Sequence, residues 1–327
     1  MAEFLDSSDG NLRRAGDCIA GGGLVAFPTE TVYGLGADAF DARAVARIFE
    51  AKARPSFDPL IVHVASVRDV GRVAAAPGTK ALALMAALWP GPLTLVLPKL
   101  ETIPGIVTSG LDTVAVRLPA HPVARSIIAY SGTVVAAPSA NPFGYISPTL
   151  ASHVERGLGD KVDIIVDGGP CSVGLESTVL DMTVDPPRLL RPGGMPAEAI
   201  EAVIGAVDRR PVSASASAAA SPGLMDSHYA PRTSLYLVEA GAMATARPSG
   251  KAAALTISAA SAAAINGRFA LVRHLSSGGD LVEAAAGLFA ALHDLDGGGF
   301  DQIWAEKADG HGLGPAINDR LFKASKK

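Results

Sequence analysis

Between residue 24 and about residue 204, short β-branched runs alternate with amphipathic stretches, the pattern of sheet strands joined through helices. Residues 24–27 read as a buried strand closed by Pro28. Asp41 is placed to cap a helix that sets Val45, Ile48 and Phe49 on one face and ends near Lys52, ahead of Pro55. Further strands are predicted at 60–64, 93–97, 114–118, 134–137, 164–166, 178–182 and 188–190, and helices at 80–88, 122–130, 149–156 and 196–204. The alternation breaks at 209–231, where small residues and prolines cannot bury enough surface to make a core. It resumes with strands at 235–238, 252–257, 269–272 and 302–305, a helix at 280–293 and another near the C-terminus. A chain of 327 residues is long for one domain, so the expected organisation is a first α/β domain at 1–207, a linker at 208–233 and a smaller α/β domain at 234–327.

Composition narrows the function. With 49% hydrophobic and 18% charged residues, wholesale disorder is excluded. Lys and Arg number 28 against 32 acids, a net charge of -4, so no global basic field marks a binder of nucleic acid or anionic membrane, although a local basic pocket stays open. Cys18 and Cys171 stand far apart with no CxxC or Cys/His cluster, which argues against a disulfide scaffold or a usual zinc site and fits a reducing compartment. Residues 1–18 lack the basic-then-apolar order of a signal peptide, and no uninterrupted apolar run is long enough to span a bilayer. A soluble, cytoplasmic protein is the expectation.

Five polar clusters lie at the edges of apolar strands. The first, FPTETVYGLGADAF at 27–40, offers Thr29, Glu30, Thr31, Tyr33, Gly34 and Gly36; its glycines are expected to adopt positive φ or let the backbone approach a ligand. It could equally be a turn whose polar groups satisfy one another. The second, KARPSFDPLIVHV at 52–64, puts Lys52 and Arg54 at a helix C-terminus, where they either complement the dipole or form a fixed cation pair suited to polyphosphate. On its strand His63 shares a face with Ile61, as a satisfied core histidine would. In the third, DTVAVRLP at 112–119, Thr113 and Arg117 project from one face. A buried Arg117 must be paired, by Asp112, by Glu176 or by a ligand carboxylate that its planar fork fits. The fourth, at 136–149, holds Ser139, Asn141, Gly144 and Ser147; the fifth, at 167–195, holds Ser177, Thr178 and Arg191. No Ser/His/Asp or Cys/His nucleophile is evident, so any chemistry would run on positioning and charge.

Taken in order and spacing, FPTETVYGLGADAF, KARPSFDPLIVHV, WPGPLTLVLP, VAVRLPAHP, APSANPFGYISPT, GLESTVLD and LLRPGGM closely resemble the Sua5/YciO/YrdC family, and SPGLMDSHYAP resembles the linker of its two-domain, Sua5-type members. The resemblance implies a YrdC-like twisted open sheet with flanking helices, followed by a linker and a smaller Rossmann-like α/β domain. It implies an L-threonylcarbamoyladenylate synthase, a nucleotidyltransferase that makes threonylcarbamoyl-AMP and pyrophosphate from L-threonine, bicarbonate or CO2, and ATP with Mg2+. The product would feed t6A37 formation in tRNA through a downstream transferase complex. Carried over by position, Thr31, His63, Arg117, Ala137 and Ser177 would bind L-threonine. Lys52, Arg54, Asp58, Thr113, Ser139, Ser147, Arg191 and Tyr229 would lie at ATP, with Mg2+ held through phosphates rather than by an assigned protein ligand. Asp58 stands where the family usually has Asn; an acid there repels polyphosphate unless it faces Mg2+ or is neutralised. Leu224, Met225, Asp226 and Ser227 replace a more basic linker stretch. The competing expectations are a double-stranded RNA or tRNA binder of the same fold, which would need clustered surface cations, and a carbamoyl transferase, whose relatives carry cysteine pairs missing here.

Overall fold

The computed structural model describes residues 1–210, 228–265 and 267–326; linker positions 211–227, Leu224 to Ser227 included, lie outside the described residues. The first half builds a ten-stranded mixed sheet. Its strands are β1 (Glu3–Asp6), β2 (Val25–Pro28), β3 (Tyr33–Asp38), β4 (Ile61–His63), β5 (Leu93–Pro98), β6 (Thr113–Arg117), β7 (Val135–Ala136), β8 (Ile164–Asp167), β9 (Thr178–Asp181) and β10 (Arg188–Arg191). They are ordered β1-β8-β2-β3-β7-β4-β6-β5-β9-β10. Flanking it are α1 (Asp9–Ala20), α2 (Ala42–Lys52), α3 (Thr79–Leu88), the short α4 (Gly105–Thr108), α5 (Pro122–Ser131), α6 (Ala151–Leu158) and α7 (Ala197–Ile204). The second half holds β11 (Ser234–Val238), β12 (Ala252–Ser258), β13 (Leu271–Ser276) and β14 (Gln302–Glu306), all parallel in the order β11-β14-β12-β13. Helices α8 (Ala259–Ala264), α9 (Leu281–Asp296) and α10 (Gly314–Ala324) accompany them. The whole is a two-domain α/β fold, and no described helix is long and apolar enough to cross a membrane.

Local chemistry explains where the sequence pattern succeeded. The Asp41 carboxylate accepts from the amides of Arg43 and Ala44, capping α2, and Val45, Ile48 and Phe49 of that helix enter the core. It also explains the misses. β3 reads as a loop because YGLGAD lacks β-branched residues, yet it pairs antiparallel with β2, Phe27 opposite Gly34. Neither Gly34 nor Gly36 has positive φ. Gly36 is there for packing: a Cβ would sit 2.6 Å from Phe27 Cε1 and 2.7 Å from Val135 Cγ1. β1 escapes notice because it is an edge strand with only Leu5 buried, and α1 buries just Leu12, Ala15, Gly16 and Ile19. β13 runs to Ser276 rather than ending near Val272, since an edge strand tolerates the exposed Arg273 and His274.

The two halves share a core. Val32, Ile146 and Leu175 from the first sheet's loops join Leu288, Phe289 and Leu292 of α9 in one buried cluster. Gly174 makes that contact possible, with φ +71 and a would-be Cβ only 2.5 Å from the Ala286 carbonyl oxygen. We expect Gly174→Ala to combine backbone strain with a clash against α9 and to cost on the order of 1–3 kcal/mol. Urea unfolding checks this, with Gly10→Ala as the contrast: nothing lies within 4 Å of Gly10, so that change should be neutral or slightly stabilising.

Candidate active site

The hairpin β2–β3 projects the loop Thr29, Glu30, Thr31 and Val32 over the ends of the neighbouring strands. Thr29 Oγ1 closes this loop by donating to the Val32 carbonyl at 2.7 Å, and it lies 2.7 Å from Thr31 Oγ1. Next to it, His63 ends β4 and Arg117 ends β6, paired in register on parallel strands. A cavity of about 50 Å³ opens between these elements. Its walls are Thr29, Thr31, His63 and Arg117, the segment Ala137 to Ser139, Glu176 and Ser177, then Arg54, Arg191, His228 and Tyr229.

Arg117 is 3% exposed, and its buried partner is Glu30, neither Asp112 nor Glu176 as the sequence had offered. Glu30 Oε1 lies 2.7 Å from Arg117 Nη2, while Glu30 Oε2 accepts from the Ala120 amide. Arg117 Nη1 donates to Thr31 Oγ1 at 2.9 Å and Nε to the Gly91 carbonyl at 3.3 Å. Nη2 and Glu30 Oε1 attract as an ion pair but are not aligned as a hydrogen bond, so Nη2, deep in the cavity wall, makes no hydrogen bond among the described residues. Burial and the neighbouring Arg117 push His63 down to about 3, leaving it neutral.

A second set of cations lies beyond. Arg191 grips Ser177, donating to its carbonyl at 2.9 Å and its hydroxyl at 3.3 Å, and Ser177 Oγ lies 2.7 Å from Thr94 Oγ1. Arg54 Nη2 pairs with Asp58 Oδ2 at 2.9 Å, so the acid that departs from the family pattern is neutralised within its own loop. Burial lowers the pKa of Lys52 well below its ordinary value, and Lys52 Nζ donates to the carbonyls of Ser139 and Asn141. The Cys171 thiol, pushed up to about 12 mainly by burial, is no ready nucleophile.

All five residues expected at L-threonine, Thr31, His63, Arg117, Ala137 and Ser177, line this one cavity. Of those expected at ATP, Arg54, Ser139, Arg191 and Tyr229 line it as well. The other four do not. Lys52 braces the 139–141 segment from behind, Asp58 holds Arg54, Ser147 donates to Glu176 Oε1 at 2.5 Å, and Thr113 sits half-buried at the opposite end of β6 from Arg117. Glu176, offered by the sequence only as a partner for Arg117, and His228 line the cavity as well. Glu30 was noticed as the acid of its loop, but nothing in one sequence links it to a strand 87 positions on.

The fold and site are those of an α/β protein whose strand-end loops bring hydroxyls and buried guanidinium groups to one cavity, a set of donors suited to an anionic ligand. The chain matches the Sua5_yciO_yrdC family model, described as "Telomere recombination", over residues 17–193, and the model "Threonylcarbamoyl-AMP synthase, C-terminal domain" over 195–326. It belongs to the Sua5/YciO/YrdC family. It is 45% identical over 318 residues to a threonylcarbamoyl-AMP synthase of Pyrococcus abyssi, covering 96% of this chain and 94% of the relative. With the Bacillus subtilis threonylcarbamoyl-AMP synthase it shares 41% identity over 333 residues, covering 99% and 96%. A solved structure of P. abyssi Sua5 complexed with L-threonine has a TM-score of 0.89 at 41% identity, covering 99% of this chain and 97% of that one.

The neutral histidines make stability depend on pH. Besides His63, burial lowers His153 to about 3 and His293 to about 4, and these two rings stack at 3.9 Å where α6 meets α9. Between the ordinary value near 6.5 and these folded values, the unfolded chain binds protons that the native chain refuses. Stability is therefore expected to fall as pH drops from about 7 toward 4, by up to about 1.4 kcal/mol per pH unit for each such histidine. Urea titrations across that range check it, and His153→Gln should give a slope shallower by one proton.

Proposed function

We infer that this chain joins L-threonine, bicarbonate or CO2, and ATP to form threonylcarbamoyl-AMP and pyrophosphate, the activated intermediate for tRNA threonylcarbamoylation. The observation that carries the reading is Arg117 Nη2: a guanidinium nitrogen in a cavity wall, ion-paired with Glu30 at 2.7 Å, whose N–H donors are aligned with no described acceptor. A substrate carboxylate supplies what those donors lack. Thr31 and Ser177 flank it with hydroxyls, and neutral His63 adds polarity without a second charge.

In the reaction, the threonine amine attacks CO2 and gives up a proton to solvent, forming a carbamate. A carbamate oxygen attacks the α-phosphorus of ATP, and the bond to the β-phosphate oxygen breaks to release pyrophosphate. The chain needs no covalent intermediate for this. It holds the reactants in line and meets phosphate charge with Arg54 and Arg191, whose geometry is set before substrate arrives. The carboxylates near the cavity are already engaged, Glu30 by Arg117, Asp58 by Arg54 and Glu176 by Ser147. That donor set suits Mg2+ carried on ATP through phosphate oxygens and water, where it would neutralise phosphate charge.

At about 50 Å³ the cavity is far below the roughly 300–1,000 Å³ of sites for larger ligands, so admitting ATP requires wall residues to move. His228 and Tyr229, at the described end of the 208–233 linker, are the pair we assign to that movement, and their return would shield the water-labile carbamate and anhydride. The product would pass to a tRNA threonylcarbamoyl transferase complex in the cytoplasm. A surface RNA binder is the weaker reading, because these arginines are buried in the walls of one cavity rather than spread over the surface.

Incubation with ATP, Mg2+, bicarbonate and each common amino acid should release pyrophosphate with threonine. Arg117→Ala should abolish that release while ATP binding persists; threonine-dependent turnover at the wild-type rate in the variant would refute the assignment.

A further inference from the structure

Arg320, on α10 of the second half, is fully buried, and its Nε donates to Glu176 Oε2 at 2.7 Å across 144 positions of sequence. Its Nη1 also meets Asp319 Oδ2 at 2.5 Å, and its guanidinium lies 5.1 Å from the Tyr229 ring centroid. Glu176 thus has both oxygens committed, Oε2 to Arg320 and Oε1 to the Ser147 hydroxyl. Its backbone is pinned as well: the Gly194 amide donates to the Glu176 carbonyl at 2.9 Å, and a Cβ on Gly193 would come within 2.4 Å of that oxygen. Glu176 directly precedes Ser177, the residue gripped by Arg191, and it interacts electrostatically with Arg191. Burial raises the Glu176 carboxyl, but Arg320, Arg191 and Ser147 together outweigh it and hold the group ionised.

Arg320 holds the Glu176 carboxylate directly, while Arg191, bonded to the adjacent Ser177 and lining the same cavity, is the second cation beside it. If Arg320 were absent, Glu176 Oε2 would lose its partner at a depth where an uncompensated charge is strongly unfavourable. The cation left to neutralise it is Arg191, the group that faces the cavity.

We propose that Arg320 is a positioning residue for adenylate formation: by holding Glu176, it keeps that carboxylate from neutralising Arg191 and so preserves the cavity's charge for the nucleotide's phosphates. The second half of the chain then contributes to the site through one side chain as well as through packing. This rests on the reading under Proposed function, which wild-type pyrophosphate release tests separately.

The inference is tested by calorimetric titration of the full-length protein with ATP and Mg2+, without turnover, comparing wild type, Arg320→Met, Arg320→Lys and Arg320→Met/Glu176→Gln. Arg320→Met should weaken ATP binding at least about tenfold, Arg320→Lys less so, and the double variant should recover most of the loss, since a neutral Gln does not compete for Arg191. A purely structural role would make the double variant no better than the single one. Unchanged ATP affinity in Arg320→Met, or a double variant as weak as the single one, would overturn the proposal. Should Arg320→Met fail to fold, the double variant is compared with wild type and Arg320→Lys, and ATP binding tenfold weaker than both would overturn it equally.

Discussion

Arg54, Arg117, Arg191 and Arg320 are each at most 8% exposed, and a buried guanidinium is tolerated only where acids and carbonyls meet it. That constraint orders the loops of this molecule. Arg117 draws in Glu30 and Thr31 from the β2–β3 hairpin, Arg54 closes onto Asp58 and the Pro59 carbonyl, and Arg191 seizes Ser177. Arg320 ties the second half to Glu176. Each pairing satisfies a buried charge and, in doing so, fixes the loop that carries its partner.

The same pairings give the cavity its chemistry. A site that adenylates a carbamate needs cations already in place, because reorganising charge during reaction adds to the barrier. Here the cations are held by internal partners rather than by solvent, and the hydroxyls of Thr31 and Ser177 are fixed by their bonds to Arg117 and Arg191. The shared apolar cluster of Val32, Ile146, Leu175 and Phe289 keeps the second half seated against this charged layer.

Much of the scaffold was legible from the chain. Short apolar, β-branched runs located β5, β6, β8 and β9, and the Asp41 cap and the Val45, Ile48, Phe49 face located α2. β3 was not legible, because its glycines are dictated by the Phe27 ring of the neighbouring strand rather than by any preference of their own segment. Edge strands β1 and β13 were faint or displaced, since one half-buried face leaves little apolar signal.

The sequence by itself determined the α/β class, the strand-end clusters, and the presence of an arginine at position 117 that burial would force into a pair. Tertiary structure alone decided which acid that pair would use, which side chains face the cavity and which only brace it. Thr113, Ser147 and Lys52 carry the right chemical groups but lie outside the cavity lining, Thr113 through strand direction and the other two through bonds to neighbouring carbonyls and a carboxylate. Glu30 reaches Arg117 and Arg320 reaches Glu176 across 87 and 144 positions, separations over which local periodicity carries no information, because such partners meet only once the sheets have formed.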